Sequence, residues 1–181
     1  MNMLKTSLKY GGILFIAASI CALFVSSVFV IVDPIIIERR IEKVRDNLNS
    51  IFSNTTFEYK DISAEYDLER VSNCDSLYLV NLDNNRVNYV YEMSPEGRND
   101  NIIFLIAYDS DGNVVKIQYV QMRETKGRGD KITKDNYLDK IYNQNASEME
   151  VDMITGATYS SRAMKESIES SSKHLISEVL K

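Results

Sequence analysis

Twenty-two consecutive residues, Gly11 to Val32, carry no charge and are almost entirely apolar. Wound as a helix at about 1.5 Å per residue, such a run is roughly 33 Å long, enough to cross a hydrocarbon core of about 30 Å. A cleaved signal peptide normally has an apolar region of about 7–15 residues and ends at a small-residue site. This run is longer and leads into Asp33-Pro34 without an A-x-A pattern. A lipid anchor at Cys21 is disfavoured, because bulky Ile20 precedes the cysteine and the apolar run continues past it. The expectation is an uncleaved single transmembrane helix.

About 150 residues follow, the size of one domain. Lys5 and Lys9 precede the run and all 26 acidic residues lie beyond it. The remaining 19 basic residues leave that part at a net −7. A surface of that sign is a poor partner for nucleic acid. Of the two cysteines, Cys21 lies in the apolar run and Cys74 outside it, so neither an internal disulfide nor a cysteine metal site is expected. The single histidine, His174, is read as a surface residue among polar neighbours.

Along the chain, Ile37, Ile41, Val44, Leu48 and Ile51 recur at three- and four-residue steps, which predicts an amphipathic helix over 35–53. Its stripe is expected to pack on its own domain or, less commonly, on a partner's helix. Ser76–Leu82 and Arg86–Glu92 flank Asp83-Asn84-Asn85 and read as a hairpin. Residues 93–100, with Pro95 and Gly97, read as a loop. Asn101–Tyr108 and Asn113–Met122 flank Asp109-Ser110-Asp111-Gly112 and form the second expected hairpin. That turn lacks the spacing and terminal Glu of a calcium loop. A short helix is expected over Lys134–Tyr142 and a terminal one over Ser160–Leu180, with Met164, Ile168, Leu175 and Val179 on one face. The fold class is therefore α+β, with a mixed or antiparallel sheet and a C-terminal helix.

Two stretches carry the chemistry. Residues 152–161 read DMITGATYSS, five hydroxyls and a glycine where the last helix begins. Ser160 or Ser161 is a plausible N-cap. Gly156 allows close backbone approach, and a helix N-terminus with free amides is a ready anion site. The plain alternative is a capped helix after a tight turn. Residues 124–132 read ETKGRGDKI, two glycines two apart in the most basic loop of an acidic domain, with Arg123, Lys126, Arg128 and Lys131. Alone, each stretch is compatible with an ordinary loop.

Together they resemble the FMN-binding domain family. D-x-x-T-G-A-T-x-S-S at Asp152–Ser161 is similar to its flavinylation motif, and E-T-x-G-x-G-x-K-I at Glu124–Ile132 to its E-T-P-G-L-G-x-K-I loop. The resemblance implies covalent FMN on Thr158 through a phosphoester, made by a separate flavin transferase that recognises Asp152. It further implies that Thr155, Gly156, Ala157, Ser160 and Lys131 belong to the cofactor site, and that Glu124, Thr125, Gly127 and Gly129 lie near the flavin ring or its linker. Lys126, Arg128 or Lys131 would compensate the negative charge that a flavin gains on reduction. No catalytic residue and no metal ligand are expected.

The resemblance extends to flavin-bearing subunits of Rnf-type ion-translocating complexes and of sodium-pumping NADH:quinone oxidoreductases. It implies a membrane-anchored electron carrier partnered by other subunits of a membrane redox complex. Alternatives are a stand-alone extracytoplasmic shuttle or reductase module, and an unflavinylated anchored interaction or sensor domain. The implied layout is a cytoplasmic N-terminus over 1–10, a transmembrane helix over 11–32, an amphipathic connecting helix over 33–53 and an FMN-binding domain over 54–181. Counting basic residues alone would put that domain inside the cell; the resemblance puts it on the extracytoplasmic side of the cell membrane. The chain departs from the family pattern at Lys126 and Arg128, which stand for Pro and Leu. It also lacks the histidine ahead of Glu124, and has Gly97-Arg98-Asn99-Asp100 where the family has G-Y-G-G.

Overall fold

The computed structural model describes residues 2–53, 55–83 and 86–181, with side chains described outside 2–9, 13 and 28–37. The chain divides into two compact units, one ending at Asp46 and one spanning Asn47–Lys181. A single helix, α1 (Asn2–Ile51), replaces the two segments expected on either side of Asp33-Pro34. Pro34 removes only one main-chain donor, and both flanks keep helical periodicity. Within the first unit Tyr10–Ser27 has a mean hydropathy of 1.9, so α1 is long and apolar enough to cross a membrane.

The second unit is α+β. Five strands form one antiparallel meander in chain order: β1 (Phe57–Asp61), β2 (Cys74–Leu82), β3 (Val87–Met93), β4 (Ile103–Asp109) and β5 (Val114–Gln121). The two expected hairpins are β2–β3 and β4–β5; Asn84 and Asn85 of the first turn lie outside the described residues. The sheet has no parallel pair among the described residues; the short β2–β3 and β4–β5 turns require antiparallel pairing. Strand β1 was not anticipated, because FEYKD alternates too briefly to be distinguished from a loop.

Every residue from Phe104 to Tyr108 is buried, so β4 is covered on both faces. Phe104, Ile106 and Tyr108 share a core with Leu77, Tyr91, Met93, Met164, Ile168 and Leu175. The last three lie on α3 (Thr158–His174) and the π-turn after it (Leu175–Val179), on the face the sequence predicts. Burying each such side chain contributes roughly 1.5–3 kcal/mol. Leu48, Ile51 and Phe52 are also buried, and Lys116 Nζ donates to the Ser50 carbonyl at 2.5 Å, tying the end of α1 to β5. Farther up the same stripe, Ile41 is exposed. The short helix α2 covers only Asp135–Leu138.

The buried face of α3 is unusually rich in hydroxyls. Ser160, Ser161, Ser167, Ser171 and Ser172 are all buried, and each has a partner. Tyr108 Oη lies 2.9 Å from Ser171 Oγ and 3.0 Å from Ser172 Oγ, and Asn73 Nδ2 donates to Ser167 Oγ at 3.3 Å. These small side chains let the helix approach the rings of Tyr91 and Tyr108, which meet edge to face.

His174 corrects the surface assignment. It is only 6% exposed, its Nδ1 is 2.9 Å from Tyr91 Oη, and its ring packs edge-on against Tyr66 and Tyr91. The polar sequence around it is the buried serine face, so polar neighbours in sequence did not mean solvent. Burial lowers the His174 pKa, against a smaller upward pull from Glu178 and Asp67. The unfolded chain therefore binds this proton more readily than the folded one. The stability of neutral His174 is complete above the unfolded value of about 6.5 and is lost as pH falls toward the lowered folded value. Because the chain has one histidine, melting of flavin-free protein should drop between pH 7 and 5.5, and His174→Gln should flatten that slope. An unchanged slope would remove His174 as its cause.

Candidate functional site

Three segments meet at one end of α3. The β5 strand leaves the sheet into 122–128, which turns through a 3-10 segment, Gly129–Thr133. The β3–β4 connection contributes Gly97–Asn99, and the turn before α3 contributes Gly156 and Ala157. Between them lies a cleft of about 790 Å³ lined by Arg98, Asn99, residues 124–125, 127–129, Lys131 and 156–160. That volume lies within the roughly 300–1,000 Å³ range of small-molecule sites.

The helix begins earlier than the sequence suggests. Ala157 is the N-cap and offers no side-chain acceptor, so neither Ser160 nor Ser161 caps. Ser161 is spent inside the turn, where its Oγ accepts from Ile154 N at 3.0 Å and donates to the Ala157 carbonyl at 2.9 Å. Ser160 Oγ donates to Glu124 Oε2 at 2.7 Å. Thr155 lies outside the cleft lining. Two aliphatic hydroxyls are exposed on the cleft wall; Thr125 Oγ1 already accepts from Asn99 Nδ2 at 3.0 Å, while the Thr158 hydroxyl, next to exposed Tyr159, bonds to no described residue. The amides of Thr158, Tyr159 and Ser160 precede the first intrahelical bond, Ser161 N to Ala157 O, and no acceptor for them occurs among the described residues. The positive end of the α3 dipole thus opens at Thr158.

Gly156 and Gly127 have φ of +82° and +75°, values that favour glycine. At Gly127 an added Cβ would meet nothing within 4 Å, so this glycine leaves the loop face open. Gly129 is different, buried against Glu124 and Ser160. Three cations, Arg98, Arg128 and Lys131, face the cleft, and Lys131 Nζ also reaches the Thr155 carbonyl at 3.4 Å. Lys126 is exposed but does not line it.

Of the residues singled out from sequence, the cleft gathers Glu124, Thr125, Gly127, Gly129, Lys131, Gly156, Ala157, Thr158 and Ser160. It leaves out Asp152 and Thr155, which line a neighbouring groove with Lys134 and Lys140. Asp152 pairs with Lys140 Nζ at 2.8 Å, and that hydrogen bond holds its exposed carboxyl below the usual carboxylate range. Sequence reasoning missed Arg98, Asn99 and Tyr159. Arg98 and Asn99 registered only as a departure from a glycine-rich pattern, since nothing local links residue 98 to residue 158.

A cleft walled by open-faced glycines, rimmed by cations and closed by an uncapped helix N-terminus has the shape and charge to suit a flat ligand bearing phosphate. Residues 97–173 match the model of the FMN-binding domain family. Over 91% of its length the chain is 26% identical to the G subunit of the ion-translocating oxidoreductase complex of Haemophilus influenzae Rd, covering 87% of that protein. The corresponding protein of Shewanella amazonensis is 32% identical over 102 residues, 48% of this chain and 47% of that one.

Proposed function

We propose that this chain is a membrane-anchored electron-transfer flavoprotein, with FMN esterified to Thr158, acting as a subunit of an Rnf-type ion-translocating redox complex. The observation that carries the reading is the placement of Thr158. It is an exposed hydroxyl at the first position of an uncapped helix, on the wall of a glycine-lined cleft. The Thr158 hydroxyl hydrogen-bonds to no base among the described residues, and the nearby Glu124 carboxylate is engaged by Ser160 and Asn99, so attachment needs an external metal-using transferase. In that step Oγ bonds to the flavin-side phosphorus of a donor bearing a phosphate anhydride. The anhydride bond breaks, the nucleotide monophosphate leaves, and the hydroxyl proton passes to the transferase. The Thr158, Tyr159 and Ser160 amides then face the remaining phosphodiester charge.

When bound, the flavin supplies one- and two-electron transfer; the chain holds and tunes it. Arg98, Arg128 and Lys131 favour whichever flavin state carries more negative charge. Changing all three to glutamine should lower the midpoint potential measured by spectroelectrochemistry, and an unmoved potential would rule out this tuning. Met153 and Tyr159, exposed beside the acceptor, and the Asp152–Lys140 pair form the surface the transferase would read. The Tyr10–Ser27 stretch anchors the chain as a single pass, with the domain on the extracytoplasmic side where the transferase works. Protease treatment of intact spheroplasts tests this, since protection of the domain would reverse the topology. Copurification with membrane-embedded redox subunits is expected for the complex; isolation alone would favour a stand-alone shuttle.

A further inference from the structure

We propose that Glu124 is a positioning residue, a latch that holds the cleft's three walls together rather than a ligand of the flavin. The inference rests on the reading of Thr158 as the acceptor. Both carboxylate oxygens are engaged by protein: Oε1 accepts from Asn99 N at 3.1 Å and Oε2 from Ser160 Oγ at 2.7 Å. These donors come from the 97–99 loop and the first turn of α3, while Glu124 itself begins the glycine loop. Those segments are the same three that wall the cleft. Ser160 is 1% exposed and only two residues beyond Thr158, so its hydroxyl has no water to turn to.

Two glycines make room for the latch. A Cβ on Gly97 would come within 2.5 Å of Glu124 Oε1 and 2.7 Å of the Asp100 carbonyl. A Cβ on Gly129 would overlap Oε2 and sit 2.8 Å from the Glu124 Cβ and 2.9 Å from Ser160 Oγ. The glycines therefore cradle a carboxylate of the chain itself, and they are not the open surface that Gly127 provides. Asn99 reinforces the joint, its Nδ2 donating to Thr125 Oγ1 at 3.0 Å and to the Arg123 carbonyl at 3.3 Å. A carboxylate accepting at the start of α3 also suits the helix dipole.

Geometry, more than charge, is what the latch needs. A glutamine can accept from Asn99 N with its carbonyl oxygen and donate to Ser160 Oγ with its amide, so Glu124→Gln keeps both links. Glu124→Asp is one methylene too short to span them, and Glu124→Ala removes both. The full chain, purified without flavin, is digested with trypsin, for which Arg98, Lys126 and Arg128 are sites in the exposed loops. Cleavage there should quicken roughly ten- to a hundredfold in Glu124→Ala and Glu124→Asp, the population change that loss of a hydrogen bond to a charged group corresponds to. Glu124→Gln should cut like wild type. Co-expressed with a flavin transferase, the same order should appear in flavin incorporation, with Gln rescuing what Ala and Asp lose.

Should Gln behave like Ala in both assays, the carboxylate's charge would be what matters and the latch would be wrong. Unchanged cleavage in Glu124→Ala would refute it as well. An unfolding transition recorded for each variant separates loosened loops from global unfolding, and the Gln variant carries the test if Ala fails to fold. Wild type that stays flavin-free beside an active transferase would overturn the Thr158 assignment, whereas the cleavage order would still judge the latch.

Discussion

Thr158→Ala is expected to abolish covalent flavin completely while leaving the fold intact. Wild-type protein co-expressed with a transferase should fluoresce on a denaturing gel and carry the mass of one FMN less one water on the peptide containing Thr158; the alanine variant should be dark and unshifted. The loss cannot be assigned to unfolding, for a physical reason. Thr158 is exposed at the first position of α3, and its hydroxyl bonds to no described residue. Alanine is the better helix former by a few tenths of a kcal/mol, so stability should change by no more than about 0.5 kcal/mol. Thr158→Ser keeps an oxygen in the same place and should retain fluorescence. Fluorescence persisting in Thr158→Ala would move the attachment to another hydroxyl and remove the reason for the cleft's placement.

What could be read in advance followed from how local the cause was. The hairpins 76–92 and 101–122 were legible because alternation and turn residues act within a few positions. The terminal helix was legible on its apolar face, where Met164, Ile168 and Leu175 repeat at helical steps. Its other buried residues were not. Ser167, Ser171, Ser172 and His174 have the composition of a solvated face, and they are inside only because Tyr91, Tyr108 and Asn73, far off in sequence, bring them partners. At the site, motif spacing marked the glycine loop and the start of α3. The third wall stayed invisible, since Arg98 and Asn99 reach the cleft through the β3–β4 connection. The role of Glu124 was hidden for the same reason. A carboxylate in a ligand-binding motif reads as a ligand contact until its two oxygens are found to be occupied.

The glycine loop gives the second large effect, and it separates two reasons for a glycine that sequence cannot. Gly127 has φ +75° and open space around it, so Gly127→Ala brings backbone strain alone, about 1 kcal/mol. Gly129 has no such φ but no room, being packed on Glu124 and Ser160. Gly129→Ala must displace a carboxylate and also push on the Glu124 Cβ, which cannot swing aside. Overpacking costs about 1–3 kcal/mol, and a broken hydrogen bond to the carboxylate about 1.5–3 kcal/mol more. At about 2–4 °C per kcal/mol for a chain of this size, the melting temperature should fall by about 5–24 °C, against about 2–4 °C for Gly127→Ala. Flavin incorporation should fail in the first and persist in the second. The two costs at Gly129 also predict non-additivity. In a Glu124→Ala background the carboxylate is already gone, so adding Gly129→Ala should cost less than in wild type, although contact with the remaining Cβ keeps it above zero. Equal costs in the two backgrounds would mean that Gly129 is required for its backbone and not for the side chain it shelters.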